Sequence, residues 1–337
     1  MKLNSNRKIG NNGPLVFPIG LGAMSFTNFY GPCNDKQASD VLKTALELGI
    51  NHIDTSNVYG NGVSEERIGS FLAKQGRVAK DFFSIATKAS IFRDPISGVR
   101  SFNNTFIHLE EELDKSLNRM GLDQVDLFYV HRRDPKIPIE EVTESLSRLV
   151  EKGKTKCIGF SEIAPSSLKR ASSIHHVSAV QSEYSLSTRS PELGLIETCK
   201  KLGTALVAFS PLGRSLLTDK PLSYKSAQAL DFTKENPRFM QPNYNNNIEL
   251  SNVFRNYAAD HNIASSSLAI AWILSKGDHI IPIPGTRSSS HLRELAFAID
   301  FQFTSKILEE IENILPLGWV HGDRYSESQW IGPERYC

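Results

Sequence analysis

A closed (β/α)8 barrel of the TIM type is the fold the sequence predicts, with a long loop after the seventh strand and a C-terminal loop over the active site. Three observations predict it. Short apolar, β-branched runs alternate about eight times with segments of helical period. Such alternation implies parallel pairing, because each crossover helix returns the chain to the same end of the sheet. The 337 residues suit one such barrel with insertions, and no break in composition marks a linker, so residues 1–337 read as one domain.

The elements follow in order. Pro18 to Leu21 is the first strand, and Asp35–Leu48 the first helix, with Ala38, Val41, Leu42 and Ala45 on one face and Gly49 as its stop. Asn51–Thr55 is the second strand, followed by a helix over Ser64–Leu72, and Phe83–Thr87 is the third strand. A helix over Thr105–Met120 carries an inward stripe of Phe106, Leu109, Leu113 and Leu117, with Asn104 as its expected cap. Strands at Val125–Val130, Thr155–Phe160, Ser178–Gln181, Ala205–Phe209 and His279–Pro282 alternate with helices at Ile139–Val150, Ser166–Ser173, Glu192–Leu202, within Ile248–Ser275, and at Ser289–Ala298. Pro211–Asn247 and Pro316–Cys337 do not fit the alternation, and segments of that length usually carry function. The Asn243–Asn247 run reads as a solvated loop.

Composition narrows the function classes. The net charge is +1 and no Lys/Arg run is long enough to track a phosphate backbone, which speaks against nucleic acid and acidic membranes as partners. Cys33, Cys157, Cys199 and Cys337 are far apart and lack metal-ligand spacing, as expected of free thiols in a reducing cytosol. The polar start, Met1 to Lys8, lacks the apolar core of a signal peptide, and no apolar stretch is long enough for a membrane span, so the expected location is cytoplasmic. His175-His176 has no third ligand nearby in the sequence to make a metal site.

In a barrel of this kind reactive groups stand at the carboxyl ends of the strands. The second strand ends in Asp54, with Tyr59 five residues on; the third ends near Lys88; the fourth runs into His131. Each alone has an ordinary structural explanation, but a buried ammonium at a barrel mouth is costly without a partner, and Asp54 is suited to be that partner. Together the four suit proton donation to a carbonyl oxygen. Lys88 is expected to lower the pKa of the Tyr59 phenol, Asp54 to hold Lys88, and a neutral His131 to orient the carbonyl. None of the four can supply a hydride, so a nicotinamide cofactor is required.

The runs Asp54-Thr55-Ser56-Asn57-Val58-Tyr59-Gly60, Thr87-Lys88 and Asp126-Leu127-Phe128-Tyr129-Val130-His131-Arg132 resemble the catalytic signatures of the aldo-keto reductase family, in family order and over nearly the whole chain. The resemblance implies reduction of a small-molecule aldehyde or ketone with NADPH, NADH not being excluded. It places Ser161, Glu162 and Gln181 at the nicotinamide carboxamide and Phe209 against the nicotinamide ring. Ser210, Pro211, Leu212 and Gly213 fall at the pyrophosphate, and Ile283, Gly285, Thr286, Arg287 and Ser288 in the loop that receives the adenosine 2′-phosphate. Gly22, Ala23 and Met24 belong to the same cofactor-side set, as do His291 and Glu294. Three positions depart from the family pattern: Glu162 for Asn, His291 for an Arg at the 2′-phosphate, and Leu295 for an adenine-binding Asn.

Gly20-Leu21-Gly22-Ala23-Met24-Ser25 lacks the third glycine of a dinucleotide fingerprint and is set aside. Two other functions compete with reduction: a Schiff-base aldolase using Lys88, and a regulatory subunit that binds a nicotinamide nucleotide as a redox sensor. Specificity is expected from the loop after the third strand, Ala89–Asn103, from Pro211–Asn247 and from the tail with Trp319, Tyr325 and Trp330, whose aromatics suggest an apolar pocket; the sequence leaves the substrate and the oligomeric state open.

Overall fold

The computed structural model describes residues 3–93 and 99–336. Eight strands, β1 (Leu21–Gly22), β2 (His52–Asp54), β3 (Ser84–Ala89), β4 (Val125–Val130), β5 (Thr155–Ser161), β6 (Ala179–Glu183), β7 (Ala205–Phe209) and β8 (Ile280–Pro282), lie side by side in chain order. Every pair is parallel. The ring closes where the Gly20 N–H donates to the Pro282 carbonyl at 2.9 Å and the Gly22 N–H to the Pro284 carbonyl at 3.0 Å. Outside it stand helices α1 (Asp35–Leu48), α2 (Val63–Gln75), α3 (Phe106–Met120), α4 (Ile139–Glu151), α5 (Pro165–Ser172), α6 (Leu195–Leu202), α7 (Asn243–Asp260), α8 (Ser265–Ser275), α9 (Ser289–Ala296) and α10 (Ser305–Ile314).

Two apolar layers result. Helix stripes such as Leu109, Leu113 and Leu117 pack against the outward side chains of the strands. Inside the barrel, Ala86, Leu127, Tyr129, Cys157, Ala179, Ala205, Val207 and Ile281 form a separate cluster. Tyr129 fits there because its neighbour on β5 is Gly159, where a Cβ would stand 2.5 Å from the Tyr129 ring. Ile9 and Val16, from an amino-terminal hairpin that pairs Arg7–Lys8 with Leu15–Val16, join this cluster. The Asn11 N–H donates to the Gly203 carbonyl at 2.9 Å, just ahead of β7. The hairpin therefore plugs the end of the barrel where strands begin, and the opposite end is left for chemistry.

Several local expectations need correction. The first strand starts at Leu21, not Pro18. Asn104 does not cap α3; its amide donates to the Arg132 carbonyl and its oxygen accepts from the Asp134 N–H, while Asn103 accepts from the Thr105 N–H. The Asn243–Asn247 run is the first turns of α7. Tertiary bonds override its polarity: Asn247 is buried, donating to the carbonyls of Arg238 and His321 and accepting from the His321 N–H. The amino-terminal hairpin and a second hairpin, Ile91–Arg93 with Arg100–Phe102, were not expected, nor was α10, although Ile307, Leu308, Ile311 and Ile314 recur along it at helical spacing. Residues 94–98 of the loop after β3, together with Met1, Lys2 and Cys337, lie outside the described residues.

Candidate active site

The strand register brings the four expected residues together at the open end. Asp54 pairs across β2 and β3 with Ala86, which puts its carboxylate one pleat from Lys88. The Lys88 ammonium donates to Asp54 Oδ1 at 2.5 Å and to the Thr55 carbonyl at 2.7 Å, with both side chains buried. Asp54 Oδ2 accepts from the Gln181 amide at 2.7 Å, so both carboxylate oxygens are engaged. Past Asp54 the chain stays against β3 through the Thr55 and Asn57 N–H groups, then turns at Ser56 to present Tyr59. The Tyr59 ring lies 5.2 Å from Lys88 Nζ and edge-to-face with His131, centroids 5.8 Å apart. Ser56 Oγ stands 3.1 Å from His131 Nδ1.

Burial pushes the His131 imidazole well below its usual range, and the charges of Arg132 and Lys88 push the same way, so it is neutral at pH 7. Burial also pushes the Lys88 ammonium down, against the pull of Asp54. The Tyr59 phenol departs from expectation. Burial raises it far above the ordinary tyrosine value, Asp54 raises it further, and Arg132 rather than Lys88 opposes them. The Asp54 carboxylate that holds Lys88 thus itself opposes ionisation of the phenol.

These residues open onto a cleft of about 1340 Å3. Asp54, Tyr59 and His131 line one part of it, Ser161, Gln181 and Phe209 the floor, and Ser210, Pro211 and Leu212 a wall. Gly22, Met24, Ile283, Gly285, Thr286, Arg287, His291, Glu294 and Leu295 line the remainder. Five expected residues are not among the lining. Lys88 is sealed behind Asp54, which leaves no approach for a substrate to form an imine and speaks against the aldolase reading. Ala23 is buried and its carbonyl accepts from Ser64 Oγ; Gly213 packs against Ser187; Ser288 Oγ caps α9. Glu162 turns away to ion-pair with Arg324 and to accept from the Glu183 N–H at 2.8 Å. Among the described residues, no helix is long and apolar enough to cross a membrane and no cluster of His, Cys, Asp and Glu could hold a metal.

Comparison with known proteins decides the family. The Aldo/keto reductase family model matches residues 18–316. The chain is 38% identical over 325 residues to the aldo-keto reductase yakc [NADP(+)] of Schizosaccharomyces pombe, covering 95% of this chain and 94% of that one. It is 34% identical to probable aldo-keto reductase 1 of Glycine max, covering 94% and 91%. The solved glycerol dehydrogenase of Gluconobacter oxydans superposes with a TM-score of 0.80 at 23% identity, over 94% of this chain and 96% of that one, and so shares its fold. This chain belongs to the aldo/keto reductase family.

As an aldo/keto reductase it is an oxidoreductase acting on carbonyl compounds, in line with the chemistry that its strand-end residues suit. Other residues of this reductase's cleft were not singled out from sequence. Ser56 gives His131 its partner, and Arg132 lines the cleft beside His131. The tail contributes Gln329 and the loop after β1 contributes Phe29 and Tyr30, while Tyr325, expected among the tail's aromatics, lines the cleft with them. Arg132 stood inside the quoted His131-Arg132 run and its type was a signal; Phe29 and Tyr30 had none, because their meeting with the tail depends on loops distant in the chain.

Proposed function

We propose that this aldo/keto reductase reduces an aldehyde or ketone to the alcohol with NADPH, and that Tyr59 delivers the proton. The observation that carries the reading is the placement of the Tyr59 phenol, beside a sealed Lys88–Asp54 pair and a neutral imidazole, in a cleft that extends to Arg287. The cleft fits a dinucleotide. Its floor holds polar side chains, Ser161 and Gln181, next to the partly buried ring of Phe209, and its backbone strands approach closely. A Cβ at Gly22 would stand 2.7 Å from the Ile283 carbonyl.

In this reading Ser161, Gln181 and Phe209 hold the nicotinamide, Ser210, Pro211 and Leu212 the pyrophosphate, and Thr286, Arg287, His291 and Glu294 the adenosine half. Gly22, Met24, Ile283 and Gly285 supply backbone at the floor, while Ala23, Gly213 and Ser288 shape the loops from behind. Glu162 supports Ser161 through its own pairing with Arg324. The bound nicotinamide supplies the hydride.

The chain's own part is to bind and polarise the carbonyl and to complete the charge balance. Neutral His131 donates a hydrogen bond to the carbonyl oxygen. As the carbonyl carbon gains hydride, the C=O π pair moves to oxygen, which takes the proton from Tyr59 Oη; solvent restores that proton. A phenol pushed upward by burial stays protonated at neutral pH and so has its proton available for the oxygen that gains charge. The free, buried thiols of Cys33, Cys157 and Cys199 suit a reducing, cytoplasmic setting.

Fluorescence titration with NADPH and NADH, followed by turnover of a generic aromatic aldehyde, tests the reading. NADPH quenching with turnover is expected. Quenching without turnover would point to a nucleotide sensor, and no quenching by either nucleotide would remove the reductase.

A further inference from the structure

Charge at the barrel mouth does not balance. Apart from Asp54, which Lys88 neutralises, Glu162 and Glu183 are its buried carboxylates among the described residues, and three guanidiniums converge on them. Arg324 pairs with Glu162 and reaches Glu183 at 3.7 Å; Arg214 and Arg238 pair with Glu183. Arg132 makes a fourth. It follows His131 directly, is 8% exposed and has no carboxylate within ion-pair distance among the described residues. Its Nη1 donates to the His131 carbonyl at 2.7 Å and to Ser161 Oγ at 2.8 Å, while Nε is buried without any partner. Four buried cations therefore face two buried anions.

An unpaired charge away from water is costly, yet the structure holds this one in place. The Arg132 carbonyl accepts from both Ser90 Oγ and the Asn104 amide, and its N–H donates to Ser90 Oγ. The guanidinium lines the cleft beside Tyr59 and His131. The same cleft is lined by Phe29, Tyr30, Phe232 and Tyr325, with Phe29 against Phe232 at 5.4 Å.

We propose that the substrate is an aromatic or otherwise flat carbonyl compound bearing a carboxylate, and that Arg132 recognises this carboxylate and so determines specificity. The proposal rests on the reductase reading and sharpens it. Nε and the unbonded Nη2 lie along one edge of the guanidinium, the fork that receives both oxygens of a carboxylate. Such a substrate supplies the anion that the mouth lacks. Its ring is received by the four aromatics, and its carbonyl lies between Tyr59 and His131. A neutral analogue leaves Arg132 uncompensated and binds more weakly.

The test compares meta- and para-carboxybenzaldehyde with the corresponding formylbenzamides, with NADPH as reductant. The acid of at least one pair is expected to show kcat/KM on the order of tenfold or more above its amide, mostly through KM. Arg132→Gln is expected to lose more on the acid than on the amide and so bring their kcat/KM ratio close to one, and Arg132→Lys to restore part of the preference. Equal use of acid and amide by the native enzyme overturns the proposal, as does an equal loss on both substrates in Arg132→Gln. A binding measurement on the native protein stands apart from turnover and from the variants' folding: benzoate is expected to bind more tightly than benzamide, by calorimetry, with NADP+ present. If no aldehyde is reduced, the reductase reading fails, and the benzoate measurement still decides for or against an anion site. Benzoate binding no tighter than benzamide overturns it.

Discussion

Two charged clusters share the open end of the barrel, and they are built in opposite ways. On the β2–β4 side, Asp54 and Lys88 form one compact pair, both buried and each with a further hydrogen bond. On the β5–β7 side, Glu162 and Glu183 are surrounded by Arg214, Arg238 and Arg324, which reach them from the loop after β7 and from the tail. The first cluster is neutral overall and frames Tyr59 and His131. The second has cations in excess and fastens loops together: the Glu334 N–H donates to the Glu162 carbonyl, and the Glu334 carboxylate accepts from the Ala164 N–H. The difference teaches that one side is arranged for proton transfer and the other for holding the roof of the pocket and an anion beneath it.

The contrast can be broken by experiment. The largest effect belongs to the first side: Tyr59→Phe should lower kcat by about 1000-fold while NADPH still quenches with its native affinity. Equal loss of both would make Tyr59 structural. On the second side, Glu162→Gln should act on stability. It strands Arg324 and should cost about 3 kcal/mol in urea unfolding, with early proteolysis of the tail. Burial pushes the Glu162 carboxyl up, but Arg324 outweighs this and holds it below the usual range. Its stabilisation is therefore present above the ordinary carboxylate value and is lost as pH falls below it. Unchanged stability with lost turnover in Glu162→Gln would erase the distinction between the sides.

Ser56→Ala should be milder, lowering kcat/KM by up to about tenfold with an unchanged melting temperature, because it removes one hydrogen bond that sets the His131 ring. The smallest effect is expected of pH. With His131 pushed down and Tyr59 pushed up, carbonyl reduction should stay level between the ordinary values of about 6.5 and 10. A step near either ordinary value in the pH–rate profile would show that burial does not govern these groups.

The alternation of apolar runs and helical stripes determined the barrel, because inward and outward faces have periods that the residue types must obey. Strand ends determined Asp54, Tyr59, Lys88 and His131 as one group, since neighbouring parallel strands finish side by side. Only the tertiary structure decided the rest. It buried the Tyr59 phenol beside the Asp54 carboxylate, and both raise it, because burial depends on packing that sequence leaves unplaced. It turned the polar Asn243–Asn247 run into helix and staple through bonds to residues some 70 positions away. It also left Arg132 without a counter-charge, because pairing among buried ions depends on loops that meet in space after long separations in the chain.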